Sequence, residues 1–232
     1  MGWSLKLRED LDRLANEHAE RQASGRGYDR PPTPEEPKIR RGIRRMYFTP
    51  TRRACWAYVQ AAAPIDVKKV IWHHERDELI HDPRAGMGHV DIDKKEDVQA
   101  VPPLPAVRVA TYGWLYLVMH RPWLQGLASC HILERINDAT VIKGKTNIQQ
   151  SAEREMKARN LKAADLPLSV KVHLVADTEH SDLVWGVFER YVAGEETYQQ
   201  ALDGAIESLE CQEIYERAVS EALAVLQEGK VR

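Results

Sequence analysis

The chain has 232 residues, 43% of them hydrophobic and 29% charged, with a formal net charge of −2. That length suits one domain with a sizeable core, and the near-neutral balance argues against a partner rich in phosphates, so no nucleic acid is expected. Cys55, Cys130 and Cys211 lie far apart with no CxxC, a pattern of neither a disulfide framework nor a zinc cage, and one that fits a reducing cytosol.

Met1 to Gln22 is charged throughout and reads as no secretory signal. No apolar run reaches the ~18 residues a membrane helix needs, so a cytoplasmic protein with no membrane partner is expected. Leu5 to Gln22 carries Leu7, Leu11, Leu14 and Ala15 at helical spacing. Ala23 to Pro37, rich in Pro, Gly and Ser, reads as a loop or linker. Lys38 to Tyr47 is a short basic helix, and the cluster Arg40, Arg41, Arg44, Arg45, Arg52 and Arg53 reads as a solvated helix face. Thr49-Pro50-Thr51 starts a helix over Arg52 to Ala62. Pro64 interrupts, Asp66 caps, and Val67 to Ile80 continues.

Asp82 to Gly88 breaks that helix with a proline and two glycines, and Val101 to Pro105 is a second break. Ala106 to Met119 and Pro122 to Val141 are apolar on most sides and read as central buried helices. Ile142 to Thr146 is a turn, Ile148 to Asn160 and Leu168 to Val192 are helices, and Glu195 to Gln227 holds one or two more. No segment alternates at period two and no repeat is present. The expected fold is all-α, a single domain over 1–232 with a loop at 23–37 and about seven to nine helices.

The densest chemistry is His173-x3-Asp177-x2-His180. Steps of four and seven residues fall within about 60° of one another on a helix, so three potential ligands share one face over two turns. The flanking residues Val170, Val172, Leu174, Val175, Ala176, Leu183, Val184 and Trp185 are apolar, and buried polar groups need partners. Taken alone, the triplet is as readily a set of satisfied core residues as a metal site. Glu78 lies near the end of a helix and His89 follows the Pro/Gly break. On one unbroken helix they would be ~16 Å apart, so the intervening loop must fold back for both to face one site. Glu134 is a carboxylate within the apolar helix beginning at Pro122. Three carboxylates and three imidazoles suit iron, with manganese as the alternative, and the carboxylates nearly cancel the charge of two divalent ions.

These residues carry a resemblance. The chain is similar to the heme-oxygenase-like diiron oxidases and oxygenases, and particularly to the branch containing a self-sacrificing p-aminobenzoate synthase. It rests on Lys68 through Glu78 with its Asp-Glu ending, His89-Val90-Asp91-Ile92, Ala110-Thr111 through Glu134, and the His173/Asp177/His180 spacing. It spans roughly residues 60 to 190. It implies a seven-helix heme-oxygenase-like bundle and a labile diiron site held by Glu78, His89, Glu134, His173, Asp177 and His180. It also implies O2 as co-substrate and oxidation of a small molecule in biosynthesis, an amino acid or related carboxylate, by cleavage, desaturation or rearrangement. A homodimer is compatible with the family. No Glu occurs between Glu36 and Glu75, where the N-oxygenases place an extra ligand. Lys143 and Lys145 do not align with the synthase's lysine, so that reaction is not carried over. The alternatives are a cofactor-free enzyme of the same fold and a helical interaction protein.

His81, three residues after Glu78, competes with His89 as the ligand. Glu75 reads as a surface salt bridge, His73 and His74 as helix-surface residues, and His131 as a hydrogen-bonded core residue. Cys130 lacks an activating partner, His18 and His120 belong to no constellation, and Trp114, Tyr116 and Trp123 read as core.

Overall fold

In the computed structural model, the described residues are 2–25, 33–95 and 98–227. They form no strand, and their one β-type pairing is an isolated bridge between Asp82 and Met87. The all-α expectation holds. In chain order the helices are α1 (Trp3–Gly25), α2 (Glu36–Ile43), α3 (Thr49–Ala62), α4 (Ile65–Leu79), α5 (His89–Lys95), α6 (Pro105–His120), α7 (Trp123–Arg135), α8 (Asn147–Arg159), α9 (Leu168–Tyr191) and α10 (Glu195–Gln227). No helix among the described residues is long and apolar enough to cross a membrane.

The proline rules place most of these ends. Pro37, Pro50 and Pro105 each lie in a first helical turn, where a missing N–H costs nothing. Thr146 opens α8 with a capping box to Gln149, and Asn160 closes it with φ 53°.

Several boundaries move. Part of the expected loop at 23–37 lies outside the described residues, and helix intrudes at both its ends. α2 runs through a π-helical turn, Arg44–Phe48, directly into α3. Asp66 does not cap α4: its Oδ1 accepts a hydrogen bond from Tyr191 at 2.8 Å, and Pro64 is the N-cap residue. α7 stops at Arg135 rather than Val141, because Asp138 Oδ1 draws in the Thr140 N–H (2.9 Å) and hydroxyl (2.7 Å) and bends the chain. α5 has no counterpart among the expected helices.

The core runs between α6, α7 and α10. Gly204 of α10 lies so close to α7 that a Cβ there would collide with the Gln125 carbonyl oxygen. Trp114 Nε1 donates to Ser208 Oγ at 3.1 Å, and that hydroxyl donates to the Ser129 carbonyl at 2.7 Å, so all three helices share one polar link. Burial makes such satisfied bonds specifying. Arg135, almost fully buried, donates to Asp12 (2.6 Å), Ser181 (2.9 Å) and Asp138 (3.2 Å), tying α1 and α9 to the end of α7. α6 is not buried all round: Val109, Tyr112, Tyr116 and Met119 are exposed. Tyr116 is therefore a surface residue, whereas Trp114 is core as expected.

Candidate metal centre

Four elements converge beside this core: α4 with Glu78, the start of α5 with His89, the end of α7 with Glu134, and α9 with His173, Asp177 and His180. α9 presents its three residues on one face, as the spacing predicts. His89 arrives because the 82–88 segment doubles back. Asp82 N donates to Met87 O at 3.1 Å, Gly86 N donates to Asp82 O at 2.8 Å, and Gly86 takes φ +69°, which glycine adopts freely. His81 points elsewhere and is exposed. His89, by contrast, is 3% exposed and lies with Glu78 and His173.

All six expected residues come together, and they sort into two buried groups. The ligand atoms of Glu78, His89 and His173 lie within 4.8 Å of one another, as do those of Glu134, Asp177 and His180. A third grouping of the same kind, His74, Glu78 and His180, shares residues with both.

Hydrogen bonds fix the rings. His173 Nδ1 donates to the Ser169 carbonyl at 2.8 Å, so Nε2 keeps its lone pair, which faces Arg44 Nη2 at 3.1 Å. Burial, aided by Arg44, pushes the His173 pKa down to about 3, leaving the neutral form a metal requires. His89 lies between two carboxylates, with Nε2 2.6 Å from Asp82 Oδ2 and Nδ1 3.0 Å from Glu78 Oε1. Burial opposes protonation there, but the two acids outweigh it and the pKa is raised. Arg84 holds Asp82 in turn, through Nε at 2.8 Å, and pairs with Glu179 on α9 at 2.6 Å.

The carboxylates divide into two classes. Glu78 faces Arg53 Nη1 at 3.2 Å, and Glu134 accepts from Arg52 Nη2 at 3.2 Å. Burial works to raise both pKa values, but charged neighbours prevail and both are lowered, Glu78 by Arg53 and His89, Glu134 by His74 and Arg52. Asp177 goes the other way: burial and the negative charge of Glu134 raise it well above the usual carboxylate range.

Arg52 and Arg53, expected on a solvated helix face, are instead largely buried beside Glu134 and Glu75, and two residues of α4 also differ from expectation. His74 is fully buried rather than on the helix surface, and Glu75, 5% exposed, bonds Arg53 at 2.7 Å inside the protein rather than on it. Burial lowers the His74 pKa, but Glu134 and Glu75 more than offset this and the net shift is upward. His131 makes no hydrogen bond among the described residues and packs edge-on to Phe188 at 5.2 Å. Cys130 is buried, with its thiol pushed up to about 11, so it is no nucleophile. Lys143 and Lys145 are exposed, away from the cluster.

Arg52 and Arg53 account for Glu134, Glu75 and Glu78 without a metal. They do not account for His180, 3% exposed, whose two ring nitrogens have no hydrogen-bond partner. Its Nδ1 is 3.8 Å from Glu78 Oε1 and its Nε2 3.9 Å from Asp77 Oδ2. Burial holds its pKa down to about 4, so the ring is neutral and one nitrogen offers a lone pair into a cluster of acids. Unpaired buried nitrogens are costly, and a cation between imidazole and carboxylate resolves the cost. The residues fit a metal.

Two cavities adjoin the cluster. A small one, about 60 Å³, touches Glu78, His89, Glu134, His173 and Asp177. A larger one, about 220 Å³, meets His173 and Asp177 and is lined further by Arg44, Arg45, Asn137 and Tyr215. Comparison of the sequence with protein-family models and with curated proteins finds no match.

Proposed function

We propose that this cluster holds two iron ions and that the protein is an O2-dependent oxidase or oxygenase of small molecules, with a heme-oxygenase-like helical bundle as its scaffold. The observation that carries this reading is the sorting of six buried residues into two triads, Glu78/His89/His173 and Glu134/Asp177/His180. Each has both a carboxylate and an imidazole, the donor mixture that suits iron, or manganese, over thiolate-preferring metals.

Iron bound there would supply the electrons and open coordination positions for dioxygen reduction coupled to substrate oxidation. The chain's own residues do the rest. The Ser169 carbonyl fixes the tautomer of His173, and Asp82 orients His89. Arg52 and Arg53 hold Glu134 and Glu78 in place. The larger cavity lies below the usual size range of drug-like ligand sites, which favours a small substrate. Arg44 lines both cavities beside His173, and a guanidinium there is placed to pair with a carboxylate. This favours an amino acid or related carboxylate as substrate.

The test is to load metal-free protein anaerobically with Fe(II), count iron per chain, then admit O2 with candidate amino acids and follow O2 consumption and the visible spectrum. Two irons per chain and substrate-dependent O2 uptake are expected. Fewer than two irons, with no O2 consumed for any candidate, sinks the proposal.

A further inference from the structure

His74 lies one helical turn before Glu78, completely buried. Its ring is held between Trp56 and His180, with centroids 4.4 and 4.3 Å away. Nδ1 is 3.0 Å from Glu75 Oε1, and an ionised carboxylate only accepts, so Nδ1 carries the proton. Arg53 grips the same Glu75 oxygen at 2.7 Å, which fixes the ring from two residues out. The other nitrogen, Nε2, is buried without a hydrogen-bond partner. Its approach to Glu134 Oε1, 3.7 Å, is too long for a hydrogen bond. An outer carboxylate on one ring nitrogen, with the other aimed at clustered acids, is how proteins hold metal-ligating histidines.

We propose that His74 is a seventh metal ligand, its Nε2 completing one position of the centre beside Glu134 and His180, on the side away from the small cavity. The inference rests on the two-metal reading above. Ligand atoms of His74, Glu78 and His180 lie within 4.8 Å of one another, and Nε2 is 3.7 Å from Glu134 Oε1, so His74 faces the junction of the two triads. The small cavity touches Glu78, His89, Glu134, His173 and Asp177, but neither His74 nor His180. His74 and His180 thus lie on the side of the cluster away from the small cavity, and a small molecule in that cavity would meet the other donors. The rival role for His74 is a protonated counter-ion to Glu134, which contributes nothing to metal affinity.

The experiment measures stepwise Zn(II) affinity of metal-free protein by competition with a chromophoric chelator, for wild type, His74→Phe and His74→Ala. Wild type is expected to bind two ions. Each folded variant should weaken one step by about 10–100-fold, at least the loss that follows removal of an outer-shell partner, and leave the other step within about twofold. Unchanged affinities in a variant that keeps its circular-dichroism spectrum overturn the role of His74 and leave the two-metal reading standing. Fewer than two ions in wild type overturns that reading itself. If neither variant folds, the wild type decides. With the nine histidines labelled with 15N and Zn(II) added, ring-nitrogen shifts should mark four metal-bound imidazoles, those of His74, His89, His173 and His180. Three would overturn the inference.

Discussion

Replacing Asp177 with Asn separates what this carboxylate does for the fold from what it does for a metal. Asp177 is 4% exposed, and burial together with Glu134 disfavours its ionised form. The isosteric amide cannot ionise and so carries no cost of burying a charge in a crowded interior, and the metal-free variant should be at least as stable as wild type. Metal-dependent stability should move in the opposite direction. An ion supplied at about 100 times its Kd adds ~2.7 kcal/mol per site. At about 2–4 °C per kcal/mol for a chain of this size, that raises Tm by roughly 5–11 °C per site. Wild type, with two triads, should gain about twice that with Mn(II) under nitrogen, roughly 11–22 °C. Asp177→Asn keeps the Glu78/His89/His173 triad and should gain about half. Differential scanning fluorimetry with and without Mn(II) reads both effects. A metal-induced shift equal to that of wild type would refute Asp177 as a ligand. Metal-free destabilisation beyond about 2 kcal/mol would show that Asp177 is held by partners the geometry does not contain, since losses of that size follow from broken buried networks.

Asp82→Asn leaves the loop backbone able to close but weakens the orienting bond to His89; metal affinity by chelator competition should fall about 10–100-fold, with Asp82→Glu recovering part of it. Gly204→Val forces a side chain against the Gln125 carbonyl and should cost about 1–3 kcal/mol or more in urea unfolding; an unchanged midpoint would mean α10 can slide from α7 freely. Glu36 is buried and bonded to Arg154 at 3.1 and 3.2 Å and to Arg40 at 3.1 Å. Burial alone would raise its pKa, but the arginines dominate and the folded value lies below 4.5. A depressed acid contributes stability that is present above its unfolded pKa and lost as pH falls through the folded one. The urea midpoint should therefore decline on acidification below about pH 4.5, and Glu36→Gln should flatten that decline; equal slopes in the two proteins would contradict it.

How far the sequence could be read depended on whether chemistry and hydrophobicity agreed. On α9 they agree: His173, Asp177 and His180 lie on a face flanked by Val172, Ala176 and Val184, all buried, and the whole triplet was legible. Glu134 was legible for the opposite reason, as a lone carboxylate in an apolar helix. On α4 the cues conflict. Its inward stripe is Val67, Ile71, His74, Glu75 and Glu78, at steps of four, three, one and three, a regular helical face whose second half is polar. Reading the inside from apolarity put His74 on the surface, although it is fully buried while the apolar Trp72 is 53% exposed. The spacing His74-x3-Glu78 was the available signal, since it places both on one face. The return of His89 was foreseen from the Pro/Gly break, but α5 was not. The π-helical turn at Arg44–Phe48 left no mark of its own in the sequence, and it carries Arg44 to His173.

The charge arrangement around the centre gives a final reason to read it as functional. Burying ionisable groups is a poor route to stability, and apolar replacements of equal volume commonly do as well or better. Here Glu75, Asp77, Glu78, Asp82 and Asp177 are all buried within one cluster, and only part of the burden is met by Arg52, Arg53 and Arg84. Among the groups left unmet are the ring nitrogens of His180, Nε2 of His74, and an Asp177 carboxylate pushed towards its neutral form. A pair of divalent cations, as proposed, would satisfy these together, taking lone pairs from the histidines and restoring the charge on Asp177. Places where a sequence departs from its own folding rules in this concerted way are where function has imposed the departure.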